Sequence, residues 1–347
     1  IILLAFLWAL ATPLASAQIA GISSLSVLDM SSSARTAGLG MDYLALFDGD
    51  LNVGLDNPSM ISPSYNGKLA LNYVGLFSGS NFGSLSYAHD FRKAGTFLFS
   101  LRYFSYGRFE GFDEFEQPTG DFSAADYVLS VGWGRRITEH CYIGANFKPV
   151  FSQYESYSAL ALSLDLSASY SSSDHRFSAT LMGRNIGAQL KTFDGTRERL
   201  PFELSAALSY KLKNAPFRFF LEASELQRWN LRYSDPLNPT TTTDPFTGQT
   251  TPESPAAGFF DNLFRHALVG VELDIAKVFF ARLGFNYRRT KEIQTSTTGF
   301  NSSGFSFGFG VNVKHFQLAY SRNNYHYGQA PNYISLSIDI DQLFKKK

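Results

Sequence analysis

Residues 157–170 read YSALALSLDLSASY, and in this stretch an apolar residue alternates with a small or polar one. A period of two places successive side chains on opposite faces of an extended strand, whereas a helix would scatter the leucines around its axis. One face of the predicted strand carries Leu160, Leu162, Leu164, Leu166 and Ala168. The opposite face carries Ala159, Ala161, Ser163, Asp165, Ser167 and Ser169.

Similar segments follow one another from Lys68 almost to the end of the chain. Most are nine to thirteen residues long, which is longer than the roughly 5–6 residues of an ordinary soluble strand and close to the roughly 9–11 that cross a bilayer. The sequence therefore predicts an all-β fold, a 14-stranded antiparallel transmembrane β-barrel of the outer membrane. The predicted strands are 68–77, 82–91, 95–106, 123–135, 141–151, 158–170, 176–186, 201–212, 217–226, 265–274, 279–290, 304–313, 315–322 and 332–341.

Every other predicted connection is short, and the alternate set is mostly longer; in that set only the links after the first and fifth strands are short. Short ones include FRKAG, ITEH, SSSDH, KNAP and IAKV, and the long ones are 107–122, 187–200, 227–264, 291–303 and 323–331. Outer-membrane barrels have tight periplasmic turns and longer extracellular loops, and an even strand number returns the chain to the side where it started. We therefore expect the long loops to be extracellular and both termini to be periplasmic.

The two faces of the strands differ in chemistry. One face is apolar, as in Phe97, Phe99, Leu101 and Tyr103 of the third strand. The other face carries many charged residues, and burying them in the dry core of a small soluble barrel would cost too much desolvation free energy. They therefore predict a lumen that is wet or filled, with lipid outside the barrel. The charged face carries Arg102, Lys148, Asp165, Arg176, Arg184, Glu203, Arg218, Glu222, Glu272, Arg282 and Arg288.

The composition and the N-terminal region complete the domain prediction. The chain has 347 residues and a formal net charge of zero, so it has no strong positive electrostatic field that would attract nucleic acid. Its single cysteine, Cys141, rules out an internal disulfide framework. Residues 1–17 are apolar and end in Ala-Ser-Ala, which predicts a secretory signal peptide. Residues 18–66, rich in Ser, Gly, Asn and Pro, predict a plug with a helical turn near 34–39. Residues 67–347 are the predicted barrel.

Neither catalytic nor metal-binding chemistry is predicted. The GFSFG sequence at 304–308 matches G-x-S-x-G, but Ser306 lies within an alternating strand, whereas a nucleophile elbow needs a strand, a turn and a helix. The six histidines show no metal-ligand spacing. We therefore expect a protein that is not an enzyme and has no cofactor, although scattered His, Ser and Asp leave an outer-membrane hydrolase open.

The loop at 227–264 is the candidate partner-binding region. Its Thr/Pro-rich middle disfavours regular structure, and aromatic residues lie on both sides. Exposed aromatics concentrate binding energy at interfaces, so the loop is a candidate docking surface. The alternative is a flexible loop whose aromatics fold onto the rim. The docking candidates are Trp229, Tyr233, Phe246, Phe259 and Phe260.

Several sequence segments resemble a known family. SSSARTAGLG at 31–40 and DNPSM at 56–60 resemble the N-terminal hatch of FadL-like barrels. The longer segments are similar to the PorQ-like branch of these barrels in the type IX secretion system of Bacteroidetes, and the resemblance extends over nearly the whole mature chain. These segments are 106–127, 146–170, 184–219, 224–233 and 265–273; the Thr-rich stretch at 240–251 departs from the pattern.

The resemblance implies a non-enzymatic outer-membrane subunit of the type IX attachment complex. Such a subunit anchors a PorZ-like surface protein beside a PorU-like sortase and a PorV-like shuttle barrel, so that cargo becomes attached to the cell surface. The alternative is a FadL-like transporter of hydrophobic small molecules. The charged and Gly/Ser-rich luminal face disfavours an apolar channel, although Leu44, Leu46 and Phe47 could line one.

Overall fold

The computed structural model describes residues 24–232, 242–243, 250–251, 254–293, 302–324 and 330–344. The predicted signal peptide, residues 1–17, lies outside the described residues. Among the helices of the described ranges, none combines the length and the apolar character that a membrane crossing requires.

Fourteen antiparallel strands form a closed barrel, which confirms the predicted fold. The first strand, Lys68–Gly75, pairs with the last, Asn332–Asp339, in continuous register from Lys68 opposite Asp339 to Gly75 opposite Asn332. The wall strands are β1 Lys68–Gly75, β2 Asn81–Asp90, β3 Thr96–Phe112, β4 Pro118–Arg136, β5 Cys141–Tyr154, β6 Tyr157–Ser171, β7 Phe177–Lys191, β8 Glu203–Lys211, β9 Phe217–Ala223, β12 Ala267–Ile275, β13 Phe279–Asn286, β14 Phe305–Val313, β15 Phe316–Asn323 and β16 Asn332–Asp339. Two dipeptides, β10 Thr242–Thr243 and β11 Thr250–Thr251, pair with each other outside the wall.

Several predicted strand ends were wrong at the end of the barrel that carries the long connections, here called the long-loop end. The predicted loop 107–122 is mostly a hairpin, because β3 and β4 continue beyond a register shift between Ser105 and Gly107. Phe109 and Phe122 face each other there, with ring centroids 5.3 Å apart. The strand alternation therefore persists farther than a bilayer requires. In the same way β7 runs to Lys191, into the predicted loop 187–200.

Helices replace predicted strand or loop at two other places on the long-loop end. The predicted strand 279–290 ends at Asn286, whose side chain accepts a hydrogen bond from the Arg289 backbone N–H and caps a short helix, Tyr287–Glu292. A longer helix, Pro255–His266, occupies the end of the predicted loop 227–264 and leads directly into β12. The proline in its first turn fits a helix start because the missing N–H would have no intrahelical partner.

The predicted division of the two strand faces is confirmed. In β6, Leu160 and Leu166 are exposed on the outside, and Ala161 and Ser163 are buried inside. Arg176 and Arg288 are exceptions: they lie in a turn and in the helix after β13, where the strand alternation has ended. The predicted luminal charges that are buried are Arg102, Lys148, Asp165, Arg184, Glu203, Arg218, Glu222, Glu272 and Arg282.

The outer surface of the closed wall is an apolar belt. Exposed large apolar side chains occur on strands all around the barrel, among them Leu101 of β3, Leu181 of β7, Leu221 of β9, Leu283 of β13 and Leu318 of β15. Soluble monomers rarely expose contiguous apolar patches beyond a few hundred Å². A continuous apolar belt around a closed, internally hydrogen-bonded wall meets the requirements of a bilayer. The protein is a β-barrel of the outer-membrane type.

Residues 24–66 lie inside the barrel and are called the luminal segment below. They contain two short helices, α1 Ala34–Gly38 and α2 Leu51–Asp56, and α1 is the helical turn that the sequence predicted near 34–39. The turn Pro58–Met60 packs against β4, β5 and β6, and α1 packs against β14 and β15. Because β5 and β14 are seven strands apart in a ring of fourteen, the segment spans the lumen. The further α-helices of the described ranges are, in chain order, α3 Pro255–His266, α4 Tyr287–Glu292 and α5 Ile340–Phe344.

Candidate functional site

A buried ion-pair network fixes the luminal segment to one side of the wall. Arg35 of α1 donates to both carboxylate oxygens of Glu272 in β12, at 3.0 and 2.6 Å. Arg282 of β13 donates to the same carboxylate at 2.6 Å. Asp48 and Asp50 of the luminal segment also pair with Arg35, at 2.6 and 3.2 Å. The predicted luminal charges are thus compensated by the segment that fills the lumen.

A second ion pair and several hydroxyl groups fix the other side. Arg102 of β3 donates to the Leu55 carbonyl at 2.9 Å and to Asp56 at 3.2 Å, at the end of α2. The Ser59 backbone N–H donates to the Ser167 hydroxyl of β6 at 2.8 Å. The small polar residues of the predicted inner face therefore satisfy the irregular backbone of the luminal segment, as buried polar groups require.

The lumen also has an apolar region at the long-loop end, which the sequence analysis missed. Leu25, Val27 and Leu28 of the luminal segment pack there in a buried cluster with inward-facing residues of several strands and with Leu200. Leu25 has a left-handed backbone, φ 61°, an unfavourable conformation that the surrounding contacts hold in place. The wall residues of the cluster are Val74, Phe82, Phe104, Val128, Val150, Ala161, Ala319 and Tyr333.

The prediction of a charged and Gly/Ser-rich luminal face is therefore correct for only part of the lumen. The inward positions nearest the long-loop end are apolar, and the buried charges lie elsewhere on the same face. Leu44 and Leu46, which were expected to be able to line an apolar channel, are fully buried in a separate cluster with Phe220 of β9 and Leu268 of β12. They pack between the luminal segment and the wall.

The wall is interrupted beside the apolar region. β7 pairs with β8 only from Phe177 to Arg184, which lies opposite Glu203. The last residues of β7, 185–191, therefore lack a ladder partner on the β8 side, where the connection 192–202 returns. Leu200 of that connection fills the space over Gly187: a Cβ on Gly187 would lie 3.0 Å from Leu200 Cδ1. Leu200 thus lies between the apolar cluster and the interruption.

A charged cavity of about 270 Å³ lies near the same interruption. Arg184 of β7 forms an ion pair with Glu203 of β8, and its guanidinium lies 3.8 Å from Asp42 of the luminal segment. The cavity wall includes Asp29, Asp42, Arg184, Glu203, Glu225, Asn286, Arg288, Arg289 and Glu292.

Three of the five docking candidates come together at the long-loop end. Trp229 and Phe259 have ring centroids 5.4 Å apart, and Phe259 and Phe260 have theirs 5.6 Å apart. All three side chains are exposed. Tyr233 and Phe246 lie outside the described residues. Helix α3, which the sequence analysis did not predict, presents Phe259 and Phe260 on its outer side.

Polar groups hold the opposite side of α3 against the rim. The Asn262 side chain accepts a hydrogen bond from the Leu231 backbone N–H at 2.9 Å. Asp261 accepts from Arg265 at 2.9 Å and from the Tyr287 hydroxyl at 2.8 Å. Burial raises the pKa of Asp261, but these hydrogen bonds outweigh it and leave that pKa below its usual range. Burial and the hydrogen bond to Asp261 raise the pKa of Tyr287 to about 12. The polar side of α3 is thus occupied, and its apolar side remains exposed.

Ser306 is confirmed as a strand residue. It lies buried in β14, opposite Gly284 of β13 and Asn323 of β15. No strand-to-helix turn follows it, so the G-x-S-x-G match does not form a nucleophile elbow.

The known proteins to which this chain is similar share its barrel architecture at low sequence identity. No protein-family model and no curated protein matches the chain. The Pseudomonas putida toluene transporter TodX is similar with a TM-score of 0.48 and 12% identity, over 90% of this chain and 98% of that chain. A Pseudomonas aeruginosa FadL homologue gives 0.47 and 11%, over 88% and 98%. The CymD monoaromatic hydrocarbon channel gives 0.41 and 12%, over 93% and 97%.

Proposed function

We propose that the protein is a non-enzymatic outer-membrane transporter that admits small apolar molecules through its long-loop end. The observation that carries this proposal is the buried apolar cluster around Leu25, Val27 and Leu28, which adjoins the interruption between β7 and β8. An apolar solute that leaves the lumen through the barrel wall enters the acyl chains of the bilayer directly. It then avoids the polar part of the lumen that lies away from the long-loop end.

In this proposal the luminal segment occupies the solute site when no solute is bound. Residues 25–28 would leave the cluster, while the Arg35–Glu272 pair keeps the rest of the segment in place. Release of the left-handed backbone at Leu25 offsets part of the lost contacts. Leu200, which packs over Gly187, would control the exit through the wall. The long-loop end would face the cell exterior.

Replacing Leu200 by alanine is expected to speed uptake several-fold, because it removes the side chain that fills the interruption and leaves a cavity. The measurement is entry of a fluorescent fatty acid into proteoliposomes that contain the purified barrel. Leu190→Ala is the matched control, since Leu190 lies near Gly187 in the end of β7 beside which Leu200 packs, but its own side chain faces outward. Uptake by both wild type and Leu200→Ala at the rate of protein-free vesicles would contradict the transport proposal.

The exposed aromatic patch favours a second candidate function, the anchor of a type IX attachment complex. Trp229, Phe259 and Phe260 form one surface at the long-loop end, and clusters of exposed aromatics are where interface energy concentrates. We propose that a PorZ-like surface protein binds this patch, beside a PorU-like sortase and a PorV-like barrel. The barrel would then fix the partner to the outer membrane and would take no part in the chemistry.

The anchor proposal predicts that Phe259→Ser combined with Phe260→Ser abolishes recovery of a PorZ-like protein with the barrel from solubilised outer membranes. The loss of two apolar anchors should weaken binding well beyond tenfold, since central hot-spot residues contribute about 2 kcal/mol or more each. Phe115→Ser is the control, because Phe115 is exposed at the tip of the β3–β4 hairpin. Equal recovery of the PorZ-like protein with both variants would contradict this role of the patch.

A further inference from the structure

Three carboxylates meet at the boundary between the luminal segment and the wall. They belong to Asp42 of the luminal segment, Glu203 of β8 and Glu222 of β9. One oxygen atom from each lies within 4.8 Å of the other two. Each of the three comes from a different part of the fold, so whatever holds them together also holds the luminal segment against two wall strands.

The charge at this place is not balanced by the residues that surround it. Two other buried wall carboxylates have a cationic partner: Glu272 pairs with Arg35 and Arg282, and Asp165 pairs with Lys148 at 2.6 Å. Glu222 is fully buried, and within the described part of the chain no lysine, arginine or histidine forms an ion pair with it.

The hydrogen bonds of Glu222 are also incomplete. Its Oε2 accepts from the Asp42 backbone N–H at 3.0 Å, and its Oε1 has no hydrogen-bond partner although it is buried. Within the described ranges, Arg184 is the cation that pairs directly with the group: it pairs with Glu203 and lies 3.8 Å from Asp42. The three carboxylates and Arg184 together carry a charge of −2. The same cavity is also lined by Arg288 and Arg289 and by Asp29, Glu225 and Glu292, so its other charges supply no net positive charge to offset it. Leaving that charge buried and uncompensated is costly.

We propose that Asp42, Glu203 and Glu222 bind a divalent cation of the Ca²⁺ type. Ca²⁺ takes six to eight oxygen ligands in a flexible geometry, so three carboxylates can share it with water. The cavity of about 270 Å³ that Asp42 and Glu203 line gives water and the ion access. The +2 charge neutralises the group. The ion ties the luminal segment to β8 and β9 beside the interruption in the wall.

Calcium titration of the full-length barrel, purified in a non-ionic detergent and stripped with EDTA, tests this site. We expect isothermal titration calorimetry to show one saturable Ca²⁺ site and Ca²⁺ to raise the thermal unfolding temperature. Glu222→Gln keeps the side-chain size but removes a ligand charge. It is expected to weaken Ca²⁺ binding by roughly tenfold or more, because ligand charge sets the affinity of such sites.

Asp126→Asn is the matched control. Asp126 is also fully buried in the wall and has a carboxylate oxygen without a hydrogen-bond partner, but its contacts are the hydroxyls of Tyr106 and Tyr154. Its Ca²⁺ titration should equal that of the wild type. Two results would overturn the proposal: no saturable Ca²⁺ binding by the wild type, or the same Ca²⁺ affinity in Glu222→Gln. A Glu222→Gln barrel that is more stable than the wild type whether or not Ca²⁺ is present would instead show that a shared proton neutralises the carboxylates.

Discussion

Glu272→Gln is expected to destabilise the folded barrel by about 3–5 kcal/mol, the range for removing one partner of a buried ion pair. Glu272 is the shared acceptor of Arg35 and Arg282. Arg35 keeps Asp48 and Asp50, but Arg282, which is fully buried, keeps no carboxylate partner: its Nη1 and Nη2 atoms have no hydrogen-bond partner, and its Cζ lies 5.5 Å from the centroid of the Phe280 ring. Glutamine leaves the shape almost unchanged and removes the charge. Most of the effect therefore comes from an uncompensated guanidinium in the lumen.

The measurement is equilibrium unfolding in urea with the barrel in lipid vesicles. Asp121→Asn is the control, because Asp121 forms an exposed ion pair with Arg108 at 3.6 Å, and such pairs contribute on the order of 0.5 kcal/mol. Both variants replace a carboxylate that pairs with arginine by the corresponding amide, so their difference reports the burial of Glu272 together with its sharing between two arginines. A loss below about 1 kcal/mol in Glu272→Gln would mean that water reaches Arg282 and that the lumen is wetter than these contacts indicate.

Glu272→Gln should also change how firmly the luminal segment is held against the wall. Glu272 joins α1 to β12 and β13. The opposite side of the segment retains its own contacts through Arg102 and Ser59. Glu272→Gln should therefore loosen the α1 side first. A barrel that opens there would pass ions in planar bilayers more often than the wild type.

The wall could be predicted from the sequence because its chemistry repeats every second residue. Lipid on one face and polar luminal groups on the other give each strand the same signature, as in Leu160 to Ser169, and the strand number followed from counting such segments. The strand ends could not be predicted at the long-loop end. There the pattern continues past the apolar belt in the β3–β4 hairpin, and it stops at Asn286, where a side chain caps α4.

The arrangement inside the lumen was largely beyond sequence reasoning. Arg35 and Glu272 are 237 positions apart, so neither one identifies the other as its partner. The apolar end of the lumen did leave a signal, since Val74, Phe82 and Phe104 occupy inward positions by parity. That signal was weak, because the charged inward residues are more conspicuous. Three of the docking candidates, Trp229, Phe259 and Phe260, are brought together by α3. The amphipathic pattern of α3 was not recognised because the Thr/Pro-rich stretch before it indicated an irregular loop.

Valine at Gly284 or Gly144 is expected to displace the luminal segment while leaving the wall strands able to form. Both glycines lie where the backbone of the luminal segment touches the wall. A Cβ on Gly284 would lie 2.1 Å from the Leu39 carbonyl carbon, and a Cβ on Gly144 would lie 2.2 Å from the carbonyl carbon of Pro58. Backbone atoms cannot yield as a flexible side chain can, and overpacking costs about 1–3 kcal/mol or more. Valine itself favours strands, so any loss of stability comes from the clash with the luminal segment and not from a weaker wall strand.

Trypsin can detect the displacement, because Arg35 is the single lysine or arginine in residues 24–66 and is buried in the native protein. Cleavage after Arg35 should appear in Gly284→Val and Gly144→Val barrels that still resist trypsin in their wall. Gly183→Val is the control: Gly183 lies opposite the outward Leu166, and its Cβ would be 3.4 Å from the flexible Ile186 Cδ1. Protection of Arg35 in all three variants would refute the close approach. Because Gly284 and Gly144 contact the segment at Leu39 and at Pro58, cleavage in one variant alone would identify the side on which the segment is held less firmly.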